Sequence, residues 1–286
     1  MWRNFRKSLG FPASSEVGAL STVMKALKEK TEEVLGGQHK ICEAAASIPR
    51  FPALYDEDLY DAFEYIGMDY LQINWDENGS ARTYLTYDTQ VALAGHNISL
   101  CWDYSSANAC HADDLPENLD AYLLVTYTSS DLMVSNIAAH THNLYRTFDK
   151  TALRLGLGKD SSLRTSNEEE YWNRVRDAVL EPMKIQPEHM YAPTKLIFVG
   201  ASVEEDFIAF VESQVQEYLK ERNEPRPQTI AQDPMFVQAK GLAELARRRP
   251  SLPQPVRPCG GHCKETEPRT FCPAKEAQRT IEGIEL

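Results

Sequence analysis

The segment from Lys195 to Gly241 restricts the fold of this chain more than any other. Leu196, Ile197, Phe198 and Val199 make a continuous apolar run, too short for a helix and typical of a strand covered on both faces. Gly200-Ala201-Ser202 follows with almost no side-chain bulk, which lets the backbone approach a ligand or a neighbouring element closely. Ser202 is placed to cap the next helix, whose first turn carries Glu204, Glu205 and Asp206, where the helix dipole favours negative charge. About thirty residues on, Asp233 as N-cap and Pro234 at the first helical position predict a second helix. Gly241 inside that helix reads as a close-packing position against a sheet.

Strand, small turn, helix and capped helix need a partner sheet, and the rest of the chain supplies the elements. Val17, Leu20, Val23, Met24, Leu27, Val34 and Leu35 recur at helical spacing from Glu16 to Leu35, ending at Gly36-Gly37. Ile41 to Ile48 reads as a strand closed by Pro49, with Cys42 as a packing residue, and Asp56 caps a helix bearing Leu59, Phe63 and Ile66. Tyr70 to Ile73 suggests a strand and Tyr87 to Ala94 a short helix. Ala121 to Thr128 and Leu132 to Ala139, split by Ser129-Ser130-Asp131, predict a hairpin, with Leu144 to Phe148 as a third strand. Ser166 and Glu169 form a capping-box pattern for a helix ending near Pro182.

These elements divide the chain into 1–110, 111–248 and 249–286, because the stretch from Ser99 to Asp120 is polar and acidic. Beyond Arg249, six prolines, two adjacent glycines and few apolar residues predict a disordered tail. The 30 Lys and Arg against 42 Asp and Glu leave a net charge of -12, which repels a phosphate backbone, so no nucleic-acid partner is expected. No apolar run reaches the roughly 20 residues that span a bilayer, and the start lacks a signal-peptide core. A cytoplasmic protein with no membrane partner is the expectation, with unidentified protein partners.

The order of elements, with Leu196 to Ser202 and Asp233-Pro234 through Gly241, resembles the later part of the actin-like ATPase domain of the seventy-kilodalton heat-shock chaperones. The likeness is to the divergent chaperone-like proteins common in filamentous fungi. It covers roughly 16–248 and implies an α/β, two-lobed actin-like (ribonuclease H-like) fold with an incomplete first lobe at 1–110 and an adenosine-type motif in the second. In the family, Gly200, Ala201 and Ser202 would face adenosine, with Thr126, Ser129 and Ser130 near the phosphates of ATP or ADP with magnesium. Thr126 stands where an acidic residue is expected, and the turn at Ser129-Ser130 has no glycine to let backbone wrap a phosphate. Asp131 lies on the far side of that turn. No Asp-x-Gly-Thr loop precedes the helix at Glu16, and phosphoryl transfer depends on such pre-positioned groups.

The resemblance therefore implies a degenerate ATPase, a pseudoenzyme with weak or no nucleotide binding and no catalytic residues, acting through protein contacts. Two alternatives stand beside it: an active ATPase whose first phosphate loop is missing from a truncated gene model, and an interaction module using the cysteine-containing tail. In that tail Cys259, His262, Cys263 and Cys272 have the ligand count for zinc but match no standard spacing. His140 and His142 could share one side of an extended segment, without an evident third ligand. The bland readings are a solvated strand end for the histidines and, for Arg247 to Arg249, cations offsetting a helix dipole.

Overall fold

A computed structural model describes residues 2–37, 40–48, 55–71, 86–98, 119–140, 146–184 and 192–248. The proposed tail and its cysteines, His142, Cys101 and Cys110 lie outside them. The protein is an α/β structure in two compact units; the described residues up to 46 and at 55–71 form one, and those at 47–48 and 86–248 the other.

The first unit contains helices α1 (Trp2–Ser8), α2 (Ser15–Val34) and α3 (Asp56–Tyr65), and strands β1 (Glu43–Ala44) and β3 (Asp69–Tyr70), paired in parallel. Helix α2 starts where the Ser14 hydroxyl accepts the Val17 N–H at 3.2 Å and stops at Gly36 and Gly37, both at positive φ. Its apolar residues do not share one buried face. Val17 packs with Ala13 and Ala62, with Leu20 and Met24 at the margin, while Val23, Leu27, Val34 and Leu35 are exposed. Helix α1, absent from the sequence expectations, is held by charge: Arg3 reaches Asp58 at 2.9 Å and Asp61 at 2.6 Å, and Lys7 reaches Asp61 at 2.8 Å. Trp2 and Phe5 stay exposed. Cys42 is half-buried just ahead of β1 and disulfide-bonded, rather than a buried residue within a strand.

The second unit is built on a mixed sheet of five strands in the order β7-β6-β5-β8-β9. Its strands are β5 (Leu119–Tyr127), β6 (Asp131–His140), β7 (Arg146–Leu155), β8 (Lys195–Val199) and β9 (Gln228–Ile230). Strand β6 is antiparallel to both neighbours, whereas β8 and β9 run parallel to β5. A separate parallel pair joins β2 (Ser47–Ile48) to β4 (Thr86–Tyr87). Alternate residues of β5 feed two cores. Leu123, Val125 and Tyr127 pack with helices α6 (Glu168–Lys184) and α7 (Glu205–Lys220), through Val175, Val179, Phe207, Val211 and Val215. Tyr122 and Leu124 pack on the other face with α4 (Asp88–Gly95) and α8 (Val237–Arg248), through Ala92, Leu93 and Val237.

Several boundaries differ from expectation for identifiable reasons. Strand β7 continues to Leu155 because β6 offers it partners along its whole length. Helix α6 is capped by Asn167, whose side chain accepts the Glu170 N–H at 3.1 Å, and not by Ser166. It passes Pro182 because only the final turn lacks that N–H, and Tyr218 donates to the Met183 carbonyl at 3.0 Å. Asp233 is not an extended N-cap: it has φ +51, and its carbonyl accepts from Phe236 and Val237, so a turn precedes α8. Gly241 packs against a helix rather than the sheet. A Cβ there would lie 1.7 Å from the Val91 carbonyl oxygen, and one at Gly95 would lie 2.0 Å from that of Val237. The two glycines let α4 and α8 cross backbone to backbone.

Gly241→Ala is expected to destabilise the protein by about 1–3 kcal/mol in urea unfolding, although alanine is the better helix former. A neutral or stabilising result would contradict the crossing. A second expectation concerns pH. Burial alone raises the pKa of Asp61, but hydrogen bonds and charges from Lys7 and Arg3 outweigh it and hold the carboxyl below its ordinary value. A group depressed in the folded state stabilises above its unfolded pKa and loses that contribution as pH falls through the lower folded value. The stability gap between the native protein and Asp61→Asn should therefore narrow as pH is lowered below about 4. A gap constant into acid would show that Asp61 is not held low.

Candidate functional site

Thr126, Ser129, Ser130, Gly200, Ala201 and Ser202 all lie at or just beyond the carboxyl ends of the parallel strands β5 and β8. Open α/β sheets commonly bind ligands at this edge. Thr126 is the last residue of β5 paired with β8, opposite Val199, and Gly200, Ala201 and Ser202 leave β8 immediately beyond. The turn is shaped by its neighbour strand. Gly200 has φ +116, and a Cβ on it would lie 2.2 Å from the Tyr127 carbonyl oxygen. The Ser202 N–H donates to that same oxygen at 3.3 Å, and Ser202 is buried. The Gly200 N–H donates to the Pro234 carbonyl at 2.9 Å, tying the turn to the lead-in of α8. Ser202 is therefore a packing residue and not the helix cap; Glu204 occupies the cap position of α7 without a side-chain bond. Ala201 is exposed at the tip.

Ser129 and Ser130 sit exposed in the β5–β6 turn, which is closed from behind. Gly158, Lys159 and Asp160, at the start of α5 (Lys159–Arg164), donate their N–H groups to the carbonyls of Ser130, Thr128 and Ser129 at 2.8–3.0 Å. A Cβ at Gly158 would lie 2.3 Å from the Ser130 carbonyl carbon, so the two segments lie backbone against backbone. The Asp131 carboxylate accepts from the Gly156 N–H at 3.0 Å and from the Ser130 hydroxyl, which leaves it serving the turn.

Two polar atoms near this edge are buried without a hydrogen-bond partner, Thr126 Oγ1 and His96 Nε2. Thr126 follows Tyr122 and Leu124 in alternation and so belongs to the α4/α8 face. His96 caps the end of α4, and its pKa is lowered first by burial and then by the Lys240 charge on α8. Lys240 in turn pairs with Asp233. On the other face the Tyr127 and Tyr171 hydroxyls meet at 2.7 Å, the Tyr127 ring stacks on Phe207 at 3.9 Å, and Tyr171 donates to the Gly158 carbonyl. Burial pushes both phenols up, and for Tyr127 the Tyr171 hydrogen bond adds to the rise, so they stay protonated as a structural pair.

Sequence reading did not single out Tyr127, Gly158, His96 or Lys240: Tyr127 and Lys240 lie within segments read for their strand and helix pattern, and Gly158 and His96 lie in no motif. Gly158 alone carried a signal, as a glycine that no turn pattern in its own segment required. Among the described residues no group of three His, Cys, Asp or Glu could hold a metal. His140 ends β6; Cys259, His262, Cys263 and Cys272 lie outside the described residues.

No family model matches the chain, and no curated protein matches it. Among the described residues no helix is long and apolar enough to cross a membrane.

Two substitutions separate packing from binding at this edge. Gly200→Ala should destabilise by more than about 2 kcal/mol, because both the backbone angle and the space exclude a Cβ. Thr126→Val removes a buried hydroxyl with no partner, so it should be neutral or stabilising by up to about 1 kcal/mol in thermal or urea unfolding. A clear loss of stability would mean that the hydroxyl is used.

Proposed function

We propose that this chain is a divergent, heat-shock-chaperone-like protein of the actin fold, a degenerate ATPase with weak or no nucleotide binding that works through protein contacts. Support for the fold comes from the sheet. Three sequential strands form one half, the middle one antiparallel, and two further strands joined through helices extend the other half in parallel. That is the arrangement expected for the second lobe of the resemblance, with its adenosine-type turn at Gly200, Ala201 and Ser202.

One observation carries the functional half of the reading. In the family the turn between the first two strands of this sheet holds phosphate through glycine backbone. Here the corresponding Ser129-Ser130 turn has no glycine, its carbonyls are engaged by Gly158, Lys159 and Asp160, and its carboxylate is engaged by Gly156. Opening it around a phosphate would break four hydrogen bonds and separate two touching backbones. The small-residue turn that would face adenosine is likewise committed to the Tyr127 carbonyl. The glycines at this edge thus support strand packing.

Titration of the purified full chain with Mg-ATP in a calorimeter should give no saturable heat in the micromolar range, and no phosphate should be released on incubation. Micromolar binding with turnover would overturn this reading in favour of an active ATPase. The Cys259, His262, Cys263 and Cys272 tail is tested apart from it: removal of residues 250–286 should leave partner recovery unchanged if the described residues of the two units make the contacts.

A further inference from the structure

We infer that the outward face of α2 is a self-association surface, on which a second copy of this chain lies antiparallel with the two-fold axis at Val23. On a helix of 3.6 residues per turn, Glu16, Ala19, Leu20, Val23, Ala26, Leu27 and Lys30 fall within roughly 120° of one another. The first unit leaves this strip open: Val23 is 58% exposed and Leu27 64% exposed, Ala19 and Ala26 are exposed, and only Leu20 turns partly inward. Lys30 is also exposed, and among the described residues it pairs with Glu33 on the same helix. Exposed aliphatic residues along one strip of a 20-residue helix mark a contact surface rather than scattered surface hydrophobics.

The sequence of the strip is complementary to itself when reversed about Val23. Positions 16 and 30, 19 and 27, and 20 and 26 then lie at the same height along the axis. Leu20 and Leu27 fall on one side of Val23 and Ala19 and Ala26 on the other. Under the two-fold, Leu27 of one copy therefore meets Leu20 of the other along one edge, the alanines line the opposite edge, and the two Val23 side chains meet on the axis. The leucines thus bury one another along one edge, and the alanines of the other edge let the two helices approach closely. Glu16 of each copy faces Lys30 of the other, giving two equivalent ion pairs, as an isologous interface requires. The neighbouring register does not have this property. Centred on Leu27, it sets Val23 level with Thr31 and Lys30 level with Met24, and the charge match disappears. The partner this face fits is therefore the chain itself, and this inference is independent of any nucleotide reading.

Sedimentation equilibrium of the full chain tests it. The native protein should show a concentration-dependent mass rising to that of two chains. Val23→Asp places two carboxylates on the axis and should leave only monomer, with an unchanged circular dichroism spectrum because the residue is exposed. Lys30→Glu should weaken the dimer about tenfold by turning two attractions into two repulsions. Adding Glu16→Lys to it should restore the native dissociation constant. A monomeric native chain at every soluble concentration would overturn the proposal. So would a dimer indifferent to Val23→Asp, or a double charge swap no better than Lys30→Glu alone.

Discussion

The second unit depends on how closely β5 and β8 are drawn together. Both strands are buried on both faces, and their parallel register from Tyr122 opposite Lys195 to Thr126 opposite Val199 is fixed at each end. At the start, Lys195 pairs with Asp120 at 2.9 Å and lies over the Tyr122 ring. At the finish, Gly200 folds against the Tyr127 carbonyl where no side chain fits. A shift of one residue would turn Leu123 and Val125 out of one core and put Tyr122 and Leu124 into the wrong one. The helices on both faces therefore rely on this pairing.

The same closeness shapes what the edge of the sheet can do. A ligand site at the ends of parallel strands needs unspent backbone donors and room for the ligand. Here the glycines that would supply room are filled by protein: Gly200 by Tyr127, Gly158 by the β5–β6 turn, and Gly95 and Gly241 by the helices that cross there. The hydroxyl of Thr126 and the imidazole of His96 keep unpartnered buried atoms, but they flank an apolar core rather than a ring of donors. In this chain these glycines let backbones pack against one another.

The first unit follows a different logic. Helix α1 turns Arg3 and Lys7 toward the carboxylates of α3 and leaves Trp2 and Phe5 outside, while α2 has apolar residues on two faces and buries only one. The ion pairs of α1 are partly buried and fix its orientation, which is a use of charge better suited to specificity than to raw stability. An apolar strip left over on α2 is then available for contact with another copy.

Local sequence was sufficient wherever one element's own chemistry decides. Gly36-Gly37 end α2 because only glycine adopts positive φ freely, and the uninterrupted Leu196 to Val199 run is a strand because both its faces are buried. The hairpin at Ser129-Ser130 was legible from two apolar runs around a polar turn. The α/β class followed from these. Periodicity alone did not say which side of α2 is inside, since Val17 and Val23 are equally apolar and only contact with Ala62 separates them. Nor did a motif reveal whether Gly200 faces a ligand or Tyr127: a missing Cβ is the same signal in both cases, and the identity of the atom that fills the space is settled by long-range strand pairing. What the amino acids determined by themselves was where the backbone can turn and where it must be buried. What tertiary structure alone decided was which neighbour occupies each gap, because that depends on elements far apart in sequence, such as those carrying Asp120 and Lys195, coming into register.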